Sequence, residues 1–345
     1  MGLNKKASRL FLICLALYLL LSFLVGVIVK VTSSENLDLL YLLSSILVSV
    51  PAFLIPAIVF RRRHDLPKFK APRFGHIIAA VIIGIGALFL NEALSFLNEA
   101  IFFDVEIASN STTAETIKDL SIPTMIIALA VIPPISEEFI MRGTLLEVWR
   151  RYSPIGAAIL TSVLFALLHV APSALIIYIG IGLLLAAVYL ITRNVWLTVT
   201  VHFVNNLASV LAAIASKSDY SAGEELGAEL SGEVGGMDIE ALMSTQAGLI
   251  RLFSSALLIA CIIIIPMILI LRASCKRHGI GMYAAEQEIP EPAEDEGFTA
   301  DMLPENEVEK PKASMWNDGL LWATIILLVL LNVIMGLVEF GVIEI

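Results

Sequence analysis

The chain has 345 residues, 58% of them hydrophobic and 16% charged, with a formal net charge of −10. Soluble domains hold roughly 45–50% apolar and about 25% charged residues, so the main solvent of this chain is lipid. The acidic balance comes mainly from two polar connections, and it does not suggest nucleic-acid binding, which calls for a basic surface.

A helix that crosses a bilayer takes about 20 apolar residues. About nine such runs are present, near 10–30, 38–60, 76–98, 121–149, 154–171, 173–191, 195–215, 247–272 and 316–340. Only helices and closed barrels satisfy backbone polar groups in lipid, and none of these runs shows the alternation of barrel strands. The expected fold is all-α, a polytopic transmembrane helical bundle. Spans 1–3 fill 1–119, and spans 4–7 form a core over 120–215. An acidic outer loop covers 216–246. Spans 8 and 9, with an acidic cytoplasmic loop at 273–315, occupy 247–345.

The first run, Leu10–Val29, follows Lys5, Lys6 and Arg9. It is longer than a signal peptide and lacks a small-residue cleavage site, so it reads as a retained anchor. Lys and Arg recur at 61–73, at Arg150 and Arg151, at Arg193, and at Arg272, Lys276 and Arg277. The intervening connections are poor in both. This alternation predicts a cytoplasmic N-terminus and, with nine spans, an external C-terminus. Asn91 and Glu92, in the outer part of the third run, could line an access route or mark an interfacial helix end, and the second reading is preferred. Asn110-Ser111-Thr112 is a glycosylation triplet on the expected outer side. The stretches 216–246 and 279–314 have the composition of solvated linkers. Cys14 and Cys261 lie within spans and Cys275 lies beside Lys276, so none is placed to staple an exported loop.

The fourth run contains Glu137, Glu138 and Arg142. At bilayer depth each costs roughly 2.5–3.5 kcal/mol, about 8–10 kcal/mol together, so the fold must pair or hydrate them. Glu138 and Arg142, four apart, share a helix face, whereas Glu137 is turned away from Glu138 by about 100°. Pro133 and Pro134 remove backbone donors and leave the carbonyls of Leu129 and Ala130 without their usual partners. Gly143 permits close helix contact. The fifth run carries Phe165-x-x-x-His169 and the seventh His202-x-x-x-Asn206. Spans 4, 5 and 7 are therefore expected to converge on one site. A carboxylate in a low-dielectric site suits a general base, and imidazole and amide donors suit an oxyanion. Glu137, His169 and His202 also form a candidate metal set for zinc, with a fourth position left for water.

These three patterns, in this order on successive hydrophobic helices, resemble the CPBP intramembrane proteases. That family includes the type II CAAX prenyl endopeptidases and bacterial bacteriocin-processing or immunity proteins. Its two glutamates followed by arginine match Glu137, Glu138 and Arg142. Its Phe-x-x-x-His matches Phe165 and His169, and its His-x-x-x-Asn matches His202 and Asn206. No motif position departs from the pattern, which covers roughly 120–212. The resemblance implies an intramembrane endopeptidase that hydrolyses a peptide bond of a membrane-associated or lipidated protein or peptide by glutamate-activated water. In that reading Glu137 is the base, although the sequence does not separate it from Glu138. Glu138 and Arg142 form a positioning pair, and His169, His202 and Asn206 hold the water or the oxyanion. Members are often labelled metalloproteases, so the resemblance leaves a divalent metal open. The family's breadth points to a bacterial plasma membrane. Two other readings compete: a non-catalytic adaptor or bacteriocin-immunity protein that keeps the site as a structural network, and a transporter. The transporter reading lacks an obvious inverted repeat.

Overall fold

A computed structural model describes residues 2–32, 36–103, 120–217, 242–280 and 316–340. The triplet at Asn110 and most of both acidic connections lie outside the described residues. The described residues are helical, without a strand among them. Seven helices are long and apolar enough to cross a membrane, and two shorter apolar ones, Pro154–Leu168 and Val195–Leu211, stand at the fifth and seventh expected runs.

The helices are α1 Leu3–Thr32, α2 Asp38–Arg63, α3 Phe74–Ile101, α4 Ile122–Trp149, α5 Pro154–Leu168, α6 Leu175–Thr192, α7 Val195–Lys217, α8 Gln246–Arg277 and α9 Gly319–Glu339. Most ends fall within a few residues of expectation and α8 runs on to Arg277; two differences bear on the site and the topology. Helix α1 starts at Leu3, so Lys5, Lys6 and Arg9 lie inside it rather than before it; both residue types are good helix formers. Helix α5 stops at Leu168, short of 171, and Val170 has a φ of +48°. Pro172 is the cause, because it drives the preceding Ala171 out of the helical region.

Two large apolar cores organise the bundle, beside a smaller one around Met125, Ala130 and Val210. One joins α1, α2, α4, α5 and α9 through residues such as Phe11, Phe53, Trp149, Leu164 and Leu328. The other joins α3, α6, α7 and α8 through Ile83, Val188, Val201 and Ile264. Lipid supplies no hydrophobic drive between helices, so close approach of backbones carries more of the packing. Gly182 of α6 shows it: a Cβ there would stand 3.0 Å from Ser162 Cβ and 3.1 Å from Ser162 Cα on α5. Large apolar side chains such as Phe23, Leu258, Ile262 and Ile326 point outward, as a lipid-facing surface requires.

Helix α4 is not uniform. Its α-helical centre, Ile132–Ile140, is flanked by wider π-helical turns at Ile126–Val131 and Met141–Leu146. The prolines account for the first of these. The Leu129 carbonyl finds a proline both four and five residues ahead, so neither register offers it a donor. Two other helices meet the freed backbone. Ser45 Oγ of α2 donates to the Ala128 carbonyl at 3.0 Å, and Asn206 Nδ2 of α7 donates to the Leu129 carbonyl at 3.1 Å. The break in α4 thus fixes where α2 and α7 dock.

Candidate functional site

Glu138 and Arg142 are both fully buried and form an ion pair, Nη1 to Oε1, at 2.8 Å. Arg142 Nη2 donates to the Gly182 carbonyl at 3.0 Å. His202 Nδ1 meets the same Glu138 Oε1 at 3.1 Å. One carboxylate therefore ties α4 to α7 while its arginine ties α4 to α6. Phe165 is the hub beneath them. The Arg142 guanidinium lies over its ring at 4.8 Å, and the rings of His169 and His202 meet it edge-on at 4.7 and 5.8 Å. The phenylalanine of the second motif thus holds three polar groups in place without touching protons itself.

His169 is the C-cap of α5 rather than an interior helical residue, which corrects its expected place deep in a helix. Its Nδ1 lies 2.8 Å from the Phe165 carbonyl, and its ring stacks on Tyr178 at 3.9 Å. A carbonyl only accepts, so this Nδ1 carries the proton, and a neutral ring keeps Nε2 as an acceptor. His202 is oriented in the same way by the Glu138 carboxylate. The His169 turn is braced from α9. Asn332 Nδ2 donates to the Leu167 carbonyl at 2.9 Å, and Glu339 Oε2 accepts from the Ser173 backbone N–H at 3.0 Å. Val170, a β-branched residue at φ +48°, sits between these two holds. Strained backbone of this kind persists where its surroundings over-determine it.

Four of the six expected site residues, Glu137, His169, His202 and Asn206, line one cavity of about 400 Å³. Glu138 and Arg142 are packed behind its wall. Glu137 behaves unlike its neighbour: its side chain is 21% exposed, and its Oε2 stands 3.9 Å from His202 Nε2. The divergence expected from the helical offset is therefore present. Asn91 also lines the cavity, with Ser95, Tyr178, Asn205 and Ser209. Of the two readings of Asn91, lining a cavity is the one the structure supports, since its helix runs on to Ile101. A polar residue in the outer half of an apolar helix was the available signal, but its neighbours come from distant parts of the chain.

Each imidazole donates through Nδ1 to an outer acceptor, as metal-ligating histidines do. The ligand set itself is not assembled. Among the described residues no three His, Cys, Asp or Glu side chains converge at metal-binding spacing. As placed, Glu137, His169 and His202 do not fit a zinc site.

Residues 119–208 match the family described as type II CAAX prenyl endopeptidase, Rce1-like. All six expected site residues fall inside that segment. A curated Bacillus subtilis (strain 168) protein, "Putative membrane peptidase YdiL", is 26% identical over 117 residues. The aligned part is 33% of this chain and 48% of that protein, so the chain spans about half the length of the curated relative it matches. No solved structure matches.

Proposed function

We propose that this protein is an intramembrane endopeptidase that cleaves a peptide bond in a membrane-associated or lipidated protein or peptide, with Glu137 as general base. The supporting observation is the contrast between adjacent glutamates. Glu138 is sealed and neutralised by Arg142, whereas Glu137 faces the cavity beside His202 without a short ion pair. A carboxylate with little compensation in a low-dielectric cavity is a better base than one held by a guanidinium.

In this reading, a water sits among Glu137, His169 and His202: an imidazole Nε2 accepts one of its two hydrogens and orients it, and the other hydrogen points at Glu137. Glu137 takes one proton as the water oxygen attacks the scissile carbonyl carbon. The resulting oxyanion is met by the amide proton of Asn206 not used on Leu129. Glu137 then returns its proton to the leaving nitrogen, the C–N bond breaks, and a carboxylic acid and an amine result, the acid's proton passing to the amine or to solvent. Preorganised donors of this kind stabilise developing charge at no further reorganisation cost. Glu138, Arg142 and Phe165 act as positioning residues through His202 and His169.

A second reading, a divalent cation such as zinc held by Glu137, His169 and His202, is favoured by the two Nδ1 donations alone. It requires the three side chains to close on one point. Integral-membrane placement, which the apolar helices and the peptidase match support, sets the reaction at a bilayer; a bacterial plasma membrane with a cytoplasmic N-terminus is part of the same proposal. The test is cleavage of a fluorogenic lipidated peptide by purified protein. Wild type cleaves and Glu137→Gln, expressed and folded normally, does not. Retained cleavage in Glu137→Gln defeats the proposal, and an absence of cleavage by wild type favours the adaptor reading. Loss of cleavage on chelation, restored by zinc, selects the cation; unchanged cleavage selects Glu137 and water alone.

A further inference from the structure

A second cavity, of about 500 Å³, opens where the ends of α2, α3, α4, α6 and α8 meet. It shares no lining residue with the cavity around Glu137. Six formal cations line it: Arg61, Lys68, Lys70, Arg73, Arg150 and Arg193. Its carboxylate, Glu147, is already saturated. Arg150 donates to it twice, at 3.1 and 2.9 Å, the Tyr189 hydroxyl donates at 2.9 Å, and Arg193 lies 2.6 Å away. That leaves Arg61, Lys68, Lys70 and Arg73 without a carboxylate partner among the described residues.

The plain explanation of Lys68, Lys70 and Arg73 is orientation of the chain in the membrane, since all three are exposed. Arg61 does not fit that explanation. It is only 7% exposed, turned inward over the Phe69 ring at 3.9 Å rather than snorkelling to water. One of its terminal nitrogens donates to the Pro67 carbonyl, and the other, Nη1, is buried with no hydrogen-bond partner among the described residues. Glu147 acts on Arg61 through space but makes no ion pair with it, and a buried guanidinium nitrogen left without a partner is costly. Its planar fork suits a phosphate, and the three exposed cations stand at the same mouth.

We infer that this basic cavity is a binding site for a phosphate-bearing anion, seated on Arg61 and enclosed by Lys68, Lys70 and Arg73. The position at the helix ends suits the headgroup of an anionic phospholipid, whose phosphate lies at that level of a bilayer. Free phosphate offers the same chemistry without the acyl chains.

The full chain in a neutral detergent is titrated calorimetrically with inorganic phosphate, short-chain phosphatidylglycerol and a diacylglycerol of the same chain length. Binding of a phosphate-bearing probe and not of diacylglycerol is expected. Tighter binding of the phospholipid assigns the headgroup; equal binding of inorganic phosphate assigns the free anion. Lys68→Gln/Lys70→Gln/Arg73→Gln, all at exposed positions, weakens binding by about fivefold per side chain, the factor that corresponds to about 1 kcal/mol for each Lys or Arg near an anionic surface. Arg61→Gln weakens it as well. Arg62→Gln/Arg63→Gln, on exposed neighbours that do not line the cavity, leaves it unchanged. Absence of binding by both phosphate probes overturns the inference. So does an equal loss in the Arg62/Arg63 variant, which would mean diffuse charge rather than a built site.

Discussion

Replacing Glu138 by Gln separates the two adjacent glutamates by stability before any substrate is known. Glu138 and Arg142 are both fully buried, with nitrogen and oxygen 2.8 Å apart. The substitution removes the negative charge, and among the described residues the guanidinium keeps the Gly182 carbonyl and the Phe165 face as its close contacts, with the Glu137 charge farther off. Breaking a buried pair by removing one member costs about 3–5 kcal/mol. Because the new amide can still bond to His202, about 3 kcal/mol is expected, roughly two orders of magnitude in the folded-to-unfolded ratio. Glu137→Gln touches a partly exposed group whose oxygen is 3.9 Å from His202, beyond hydrogen-bond distance. It should change stability by less than about 0.5 kcal/mol. Denaturant unfolding of the purified protein, followed by tryptophan fluorescence, reads both. Trp149, fully buried at the end of α4, is a suitable reporter. Equal stability of Glu138→Gln and wild type, or an equal loss in Glu137→Gln, would refute the division of labour between the two carboxylates.

Asn206→Leu strips the Leu129 carbonyl of its donor and is expected to cost about 1–3 kcal/mol in the same unfolding assay. Phe165→Ala removes the ring against which Arg142, His169 and His202 rest; about 3–5 kcal/mol is lost, and Phe165→Leu recovers part of it. Gly182→Val drives a side chain into Ser162 and costs about 1–3 kcal/mol through overpacking. Asn332→Leu and Glu339→Gln release the His169 turn from α9. Each should lower kcat for the lipidated peptide by on the order of tenfold to a hundredfold while KM stays near wild type; unchanged kcat would show that α9 does not position the site.

Much of this arrangement was legible one helix at a time. Apolar run length located the helices, the i,i+4 spacing paired Glu138 with Arg142, and the helical offset set Glu137 apart. Pro133 and Pro134 announced an orphaned Leu129 carbonyl. That Asn206 satisfies it was not legible, because the donor comes from another helix and no periodicity encodes that meeting. The end of α5 at Leu168 was signalled by Pro172, but the length of the apolar run concealed it. Tyr178, Asn332 and Glu339 escaped notice for one shared reason. Each looks ordinary within its own helix and acquires its place only from tertiary neighbours.

The grip of α9 on the two ends of the His169 turn has a consequence for any attempt to cut the protein down. A fragment confined to 119–208 would retain every motif glutamate, histidine and asparagine, yet lose the latch that Asn332 and Glu339 close over Val170. The motif-bearing stretch is therefore not an autonomous module. The geometry around Glu137, His169 and His202 is a property of the whole bundle, and a minimal version would have to supply that latch by design.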